Sequence, residues 1–288
     1  MKVLNKSMLK NATNLAKGTK AQSFFLHVDC LENEDYSLDL PKGCDLVAVS
    51  QRTNGLPEEF SLRYPKNILL PRLPLGRLGL IKVSVAFAIP AGLLDDGYKV
   101  VFLCGSSQLK ALDTLTFFEI GKDNEIVNTK NIRGISNTVL PQVFETTLNL
   151  AMELANKGRE GKPVGTIFVL GDEDRVMQLS KQMIINPFKG YTEEERNILG
   201  PGLKETIREF SALDGAFVIA GNGTVLTAGR YLGATADSTD VARGLGSRHL
   251  AASGITALTG AVAIVISEST GDVRIFKNGK TVMEIEKG

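Results

Sequence analysis

The chain has 288 residues, of which 43% are hydrophobic and 23% charged, and a formal net charge of +1. That length and apolar content can bury one large domain or two ordinary ones without disulfide staples. The near-neutral balance is uninformative about partners: it gives no support to a broad surface for nucleic acid or membrane and leaves room for a local basic cluster.

The opening, MKVLNKSMLKNATNLAKGTK, carries charge throughout and lacks the apolar core of a secretory signal. Strands are expected at Phe24 to Val28, Leu46 to Ser50, Lys99 to Cys104 and Leu115 to Ile120. Cys30, Cys44 and Cys104 form no CxxC pair and read as buried, reduced thiols, which points to the cytoplasm. Arg77 to Leu94 has helical apolar spacing interrupted by Pro90. The polar stretch Gly121 to Asn137 then separates two α/β segments, giving expected domains over 1–138 and 139–288.

The second segment opens with an amphipathic helix through Val143, Leu148, Met152 and Ala155, closing at Gly158. A buried strand at Val164 to Leu170 and a helix over Glu173 to Ile184 follow, the latter stopped by Asn186-Pro187. Leu203, Ile207 and Phe210 share one face of a further helix. Strands at Ala216 to Ala220 and Thr224 to Ala228 flank the turn Gly221-Asn222-Gly223. Ala261 to Ser267, Asp272 to Lys277 and Thr281 to Ile285 form a meander turning at Ser269-Thr270-Gly271 and Asn278-Gly279. The fold class is therefore α/β in two domains, the second with a mixed β-sheet flanked by helices. The charge-free run from Leu250 to Ser267 is broken by Gly254 and Gly260, so no membrane-spanning helix is expected there.

Three short motifs can carry chemistry. In GLGSRHLAASGIT from Gly244, Gly246 precedes Ser247, which reads as an N-cap, and Arg248 adds positive charge to the helix tip. Such a tip suits a phosphate, though a surface cap with a solvated Arg has the same pattern. His249 either faces the same anion and ligates a divalent metal or is a partly exposed imidazole. His27, inside FFLHVDC, reads as a packed residue. Asp214-Gly215-Ala216 opens an apolar strand; its carboxylate can hold Mg²⁺ or Mn²⁺ or accept a proton from a sugar hydroxyl, and a plain turn is the alternative. Ser267-Glu268 ends another strand with a hydroxyl and a second carboxylate. Neither a Walker loop nor a GxGxxG turn is present.

Taken in order, DGAFVIAGNGTVLTAGRYL from Asp214, GSRHLAA from Gly246 and AVAIVISESTG from Ala261 resemble the diadenylate cyclase domain, over roughly residues 140–288. The segment GLIKVSVAFAIPAGLLDDGYKVVFLCG, from Gly79, is similar to the C-terminal domain of pyruvate kinase, the two-part arrangement of archaeal cyclases. The resemblance implies ATP as substrate and cyclic di-AMP as product, with two domains face to face in a homodimer or higher homo-oligomer. It implies catalytic roles for Asp214, Arg248 and His249, with Asp214 and His249 on a Mg²⁺ or Mn²⁺ ion. Gly215, Ala216, Leu232, Gly246, Ser247, Arg248, Ser267 and Glu268 would bind the nucleotide. No membrane or specific nucleic acid is implied. Two departures stand out: the family often has a second Arg where Leu250 stands, and membrane-type members carry a second Glu where Ser269 stands. The alternative reading is a nucleotide-binding sensor with weak or no turnover.

Overall fold

The computed structural model describes residues 2–31, 38–52, 64–122, 138–233 and 246–287. The chain divides into two compact units between Thr129 and Lys130. The described residues form a mixed α/β structure of two sheets and six α-helices. Most of the polar stretch taken as the domain connection, and Gly244, lie outside the described residues.

The first unit contains helix α1 (Lys2–Thr19), strands β1 (Ser23–His27), β2 (Asp45–Ser50) and β3 (Lys66–Leu69), helix α2 (Arg77–Ala88), and strands β4 (Lys99–Ser106) and β5 (Ala111–Glu119). Its sheet runs β3-β2-β1-β4-β5, parallel except for the antiparallel edge strand β5. Side chains alternate across it: Phe24, Leu26, Val101 and Leu103 share a core with Leu9, Ala12 and Ala16 of α1, while Phe25 and Phe102 stack on each other at 5.3 Å. The buried positions of α1 include Asn5, Thr13 and two alanines, so its apolar stripe is faint in the sequence. Asn5 instead ties the helix down by hydrogen bonds, accepting from Leu112 N (2.8 Å) and donating to Lys110 O (3.0 Å). The helix predicted over Arg77 to Leu94 ends at Ala88, since Pro90 cannot supply the next amide donor. Cys30 and Cys104 are buried as expected, and Cys44 is only half-buried.

The second unit holds α3 (Pro141–Lys157), β6 (Ile167–Leu170), α4 (Glu173–Gln178), β7 (Ser180–Gln182), α5 (Leu203–Phe210), β8 (Ala216–Ile219), β9 (Val225–Leu232), α6 (Ser247–Leu258), β10 (Val262–Ile266), β11 (Val273–Lys277) and β12 (Lys280–Ile285). Its seven-stranded sheet is ordered β12-β11-β10-β6-β8-β9-β7. Ala252 and Ile255 of α6 pack on Ile167, Val169, Val218, Ala263 and Val265. The alternate residues Phe168 and Phe217 pair at 5.2 Å, with Phe188 packed on Phe217.

The helix predicted from Glu173 to Ile184 stops at Gln178, and the chain turns into edge strand β7. Arg230 of β9 explains the break. Its Nη2 donates to the carbonyls of Met177 and Ser180 (both 2.8 Å), and its Nε donates to Ser180 Oγ (2.8 Å). Those carbonyls are thereby drawn to the sheet instead of to another helical turn.

Candidate active site

The strand directions build one edge of the second sheet. β6 and β8 are parallel, pairing Ile167 with Ala216, so both begin at this edge. β10 is antiparallel to β6 and ends there, with Val265 opposite Ile167. β11 reverses again and starts there, with Val273 opposite Ile266. Gly165, Asp214-Gly215 and the β10–β11 hairpin residues Ser267, Glu268 and Arg274 are therefore gathered from three distant stretches of sequence. Leu232 closes β9, which runs antiparallel to β8, so it reaches the same edge.

Helix α6 points its first turn at this edge. Ser247 is the first helical residue and not the N-cap; Gly246 caps in extended conformation, φ −69° and ψ 172°. The Gly246 carbonyl accepts from His249 N at 3.0 Å, while the amides of Ser247 and Arg248 have no acceptor within the helix. Gly246, Ser247, Arg248, His249, Ser267, Glu268, Ser269, Thr270 and Arg274 line a cavity of about 510 Å³. Ala216 is a fully buried β8 residue, and Leu232 is on β9, separated from β10 by β6 and β8, and neither belongs to the cavity lining.

Three relationships set the electrostatics. Arg248 Nη1 donates to Glu268 Oε2 at 2.9 Å, and its Nη2 stands 3.7 Å from Asp214 Oδ1. The Asp214 side chain is 92% exposed and stands beside the cavity instead of in its lining. His249 is the opposite case, only 5% exposed. Its Nε2 accepts from Arg274 Nη1 at 3.0 Å, which leaves the ring proton of a neutral imidazole on Nδ1. That Nδ1 is buried without a hydrogen-bond partner among the described residues. Burial, then the neighbouring Arg274 charge, hold the His249 pKa below its ordinary value. Arg274 is anchored from behind by Glu284 of β12 and, at 3.6 Å, by Asp272.

Two glycines permit this geometry. Gly215 has φ +102°, and a Cβ there would come within 2.7 Å of the backbone at Gly229 and Arg230. Gly165 lies against the ion pair: an added Cβ would fall 2.7 Å from Arg248 Nη1 and 2.8 Å from Glu268 Cβ. Gly165 and Arg274 are the two residues that sequence reasoning missed. Each stands outside the short motifs, and only the strand pairing brings it to the site.

The side chains near the α6 tip do not form a ready site for a hard divalent cation. Such ions take one or two carboxylates and rely on substrate oxygens for the rest. Asp214, Glu268 and His249 each already face a guanidinium, a cation standing where a metal could be held. Among the described residues no three His, Cys, Asp or Glu side chains form a ready metal cage. No helix among them is long and apolar enough to cross a membrane.

Residues 153–281 match the family described as DisA bacterial checkpoint controller nucleotide-binding, the DAC family. Over 211 residues the chain is 36% identical to a diadenylate cyclase of Methanocaldococcus jannaschii, an alignment covering 73% of this chain and 67% of that one. A diadenylate cyclase of Haloferax volcanii is 44% identical over 147 residues, 51% of this chain and 53% of its own length, so this chain spans only about half of that relative. The cyclic di-AMP synthase CdaA of Bacillus subtilis is 40% identical over 72 residues, a quarter of each chain. The extent of the first alignment, together with the family match, places this chain in the DAC family of diadenylate cyclase domains.

Proposed function

We propose that this chain condenses two ATP molecules into one cyclic di-AMP with release of two pyrophosphates. The observation that carries this reading is the juxtaposition of Asp214, Arg248 and Glu268 beside the α6 tip in a protein whose relatives are diadenylate cyclases. The triphosphate would lie in the cavity, receiving charge-assisted hydrogen bonds from Arg248 and the first-turn amides of α6, with Ser247 and Ser267 as hydroxyl donors. Gly246 lets the phosphates approach the backbone closely. The resemblance assigns Gly215, Ala216 and Leu232 to the ribose and adenine end, beside the cavity where β8 begins and β9 ends.

Each 3′-hydroxyl would attack the α-phosphorus of the other ATP. A new O–P bond forms, the bond to the β-phosphate breaks, and pyrophosphate leaves. Asp214, exposed at the rim, would accept the hydroxyl proton. A single domain presents one such site, so closing the ring calls for two copies face to face, and much of the rate comes from positioning. Mg²⁺ or Mn²⁺, which the resemblance assigns to Asp214 and His249, would neutralise charge on the transferring phosphate; in the present arrangement each of the two faces a guanidinium. The pyruvate-kinase-like reading of the first unit, supported by its mostly parallel sheet, and a cytoplasmic location for the three free thiols belong to the same proposal.

The test is Asp214→Asn. ATP binding by calorimetry should persist while cyclic di-AMP formation is lost. Turnover like that of the unaltered protein would remove Asp214 from the reaction.

A further inference from the structure

The strand register fixes the face on which Arg274 stands. It lies opposite Val265 of β10 and Glu284 of β12, so these three side chains leave the sheet on one side. Val265 packs in the cluster that holds Ala252 and Ile255, so that side is the one α6 covers. Arg274 thereby reaches the first turn of α6, where its Nη1 donates to His249 Nε2 at 3.0 Å. Leu250, where the family often has a second arginine, is 39% exposed and outside the cavity lining. The second guanidinium of the lining comes from β11 instead.

Arg274 is held in place without being used up. Its Nη2 donates to Glu284, Asp272 stands 3.6 Å away, and neither carboxylate belongs to the lining. Among the described residues, the hydrogen bonds to His249 and Glu284 occupy two of its five N–H donors. The one carboxylate in the lining, Glu268, is already paired with Arg248. Two guanidinium groups against one carboxylate suit a polyanion. A planar fork already fixed by its neighbours can meet such an anion where it stands, with little side-chain ordering still to be done.

The strand order says which part of the anion Arg274 meets. Along this edge the strands follow as β9, β8, β6, β10 and β11. With the ribose end at β8 and β9, a triphosphate crossing the α6 tip meets Arg248 first, 3.7 Å from Asp214. Ser267 and Glu268 follow β10, and Arg274 comes last, one strand spacing of about 4.8 Å further on. We propose that Arg274 is a substrate-binding residue for the β- and γ-phosphates, the part of ATP that leaves as pyrophosphate. When the bond from the α-phosphorus to the bridging oxygen breaks, its electron pair passes to the pyrophosphate, and a fixed guanidinium beside it stabilises that charge. This inference rests on the cyclase reading for the direction in which the nucleotide lies along the edge.

The experiment is calorimetry on the full chain with three probes: AMP, inorganic pyrophosphate and the unreactive α,β-methylene analogue of ATP. Arg274→Met should weaken binding of the analogue and of pyrophosphate by at least about tenfold, and that of AMP by less than about twofold. Arg274→Lys, which keeps the charge but loses the fork, should fall between the two proteins. An equal loss for AMP and the analogue would show a merely structural residue and overturn the proposal. So would an Arg274→Met protein that binds the analogue as the unaltered chain does.

A second measurement needs no variant. A crystal structure of the unaltered chain with the analogue should place the Arg274 guanidinium within hydrogen-bond distance of a β- or γ-phosphate oxygen. A contact to the α-phosphate alone, or to no phosphate, would contradict the assignment. The two readings fail separately. If both results hold but ATP yields no cyclic di-AMP, the cyclase reading falls and the phosphate contact stands. If cyclic di-AMP forms while Arg274→Met binds all three probes normally, the assignment of Arg274 falls alone.

Discussion

Gly165 and Arg248 are in contact through the absence of a side chain: the position a Cβ would take at residue 165 lies 2.7 Å from Arg248 Nη1. The ion pair of Arg248 with Glu268 is thus shaped by a residue 83 positions earlier than Arg248 in the chain.

Gly165→Ala should therefore displace the guanidinium or Glu268. With a charge-assisted hydrogen bond worth about 1.5–3 kcal/mol, ATP binding should weaken by at least about tenfold. Isothermal calorimetry with ATP measures this, and unchanged affinity would show that Arg248 need not sit where it does.

Gly215→Ala should act on stability first. Its φ of +102° is outside the range comfortable for a side chain, and the added Cβ would meet backbone at 2.7 Å, which cannot yield as a flexible side chain does. Urea unfolding should show a loss of about 2 kcal/mol or more.

Acid should weaken the first unit through Asp29. Burial pushes this carboxyl up, but His27, the Gln51 amide and Ser50 outweigh burial and hold its pKa at about 2, below the ordinary 3.8. A depressed carboxyl contributes stability that is complete above the unfolded value and vanishes as pH falls through the folded one. The contribution, on the order of 2 kcal/mol, should fade between about pH 4 and pH 2. Asp29→Asn should flatten the stability profile in that window, as followed by thermal unfolding.

His249 gives the second unit a different acid sensitivity. Its pKa lies below the ordinary 6.5 because of burial and then Arg274. As pH falls below 6.5, the unfolded chain takes up a proton that the fold resists, so stability drops from that point downward. His249→Gln should remove this slope.

Much of this arrangement was legible in the sequence because its signals are local. The Gly158 stop of α3 and the Asn278-Gly279 turn, with φ +51° and +76°, follow directly from residue chemistry. DGA, SRH and Ser267-Glu268 announced themselves as short motifs at element ends. Long-range terms hid the rest. Arg230, reaching from β9, turned an expected helix into β7. The core face of α1 carries Asn5, which no apolar periodicity records. The charge that seemed lost at Leu250 has a counterpart in the cavity, because the β10–β11 hairpin brings in Arg274.

The most direct measurement follows the fate of ATP itself. Purified protein is incubated with ATP and Mn²⁺ or Mg²⁺, and nucleotides and pyrophosphate are resolved by ion exchange. The account requires one cyclic di-AMP and two pyrophosphates for every two ATP consumed. Bound ATP that yields no cyclic dinucleotide with either metal would contradict it.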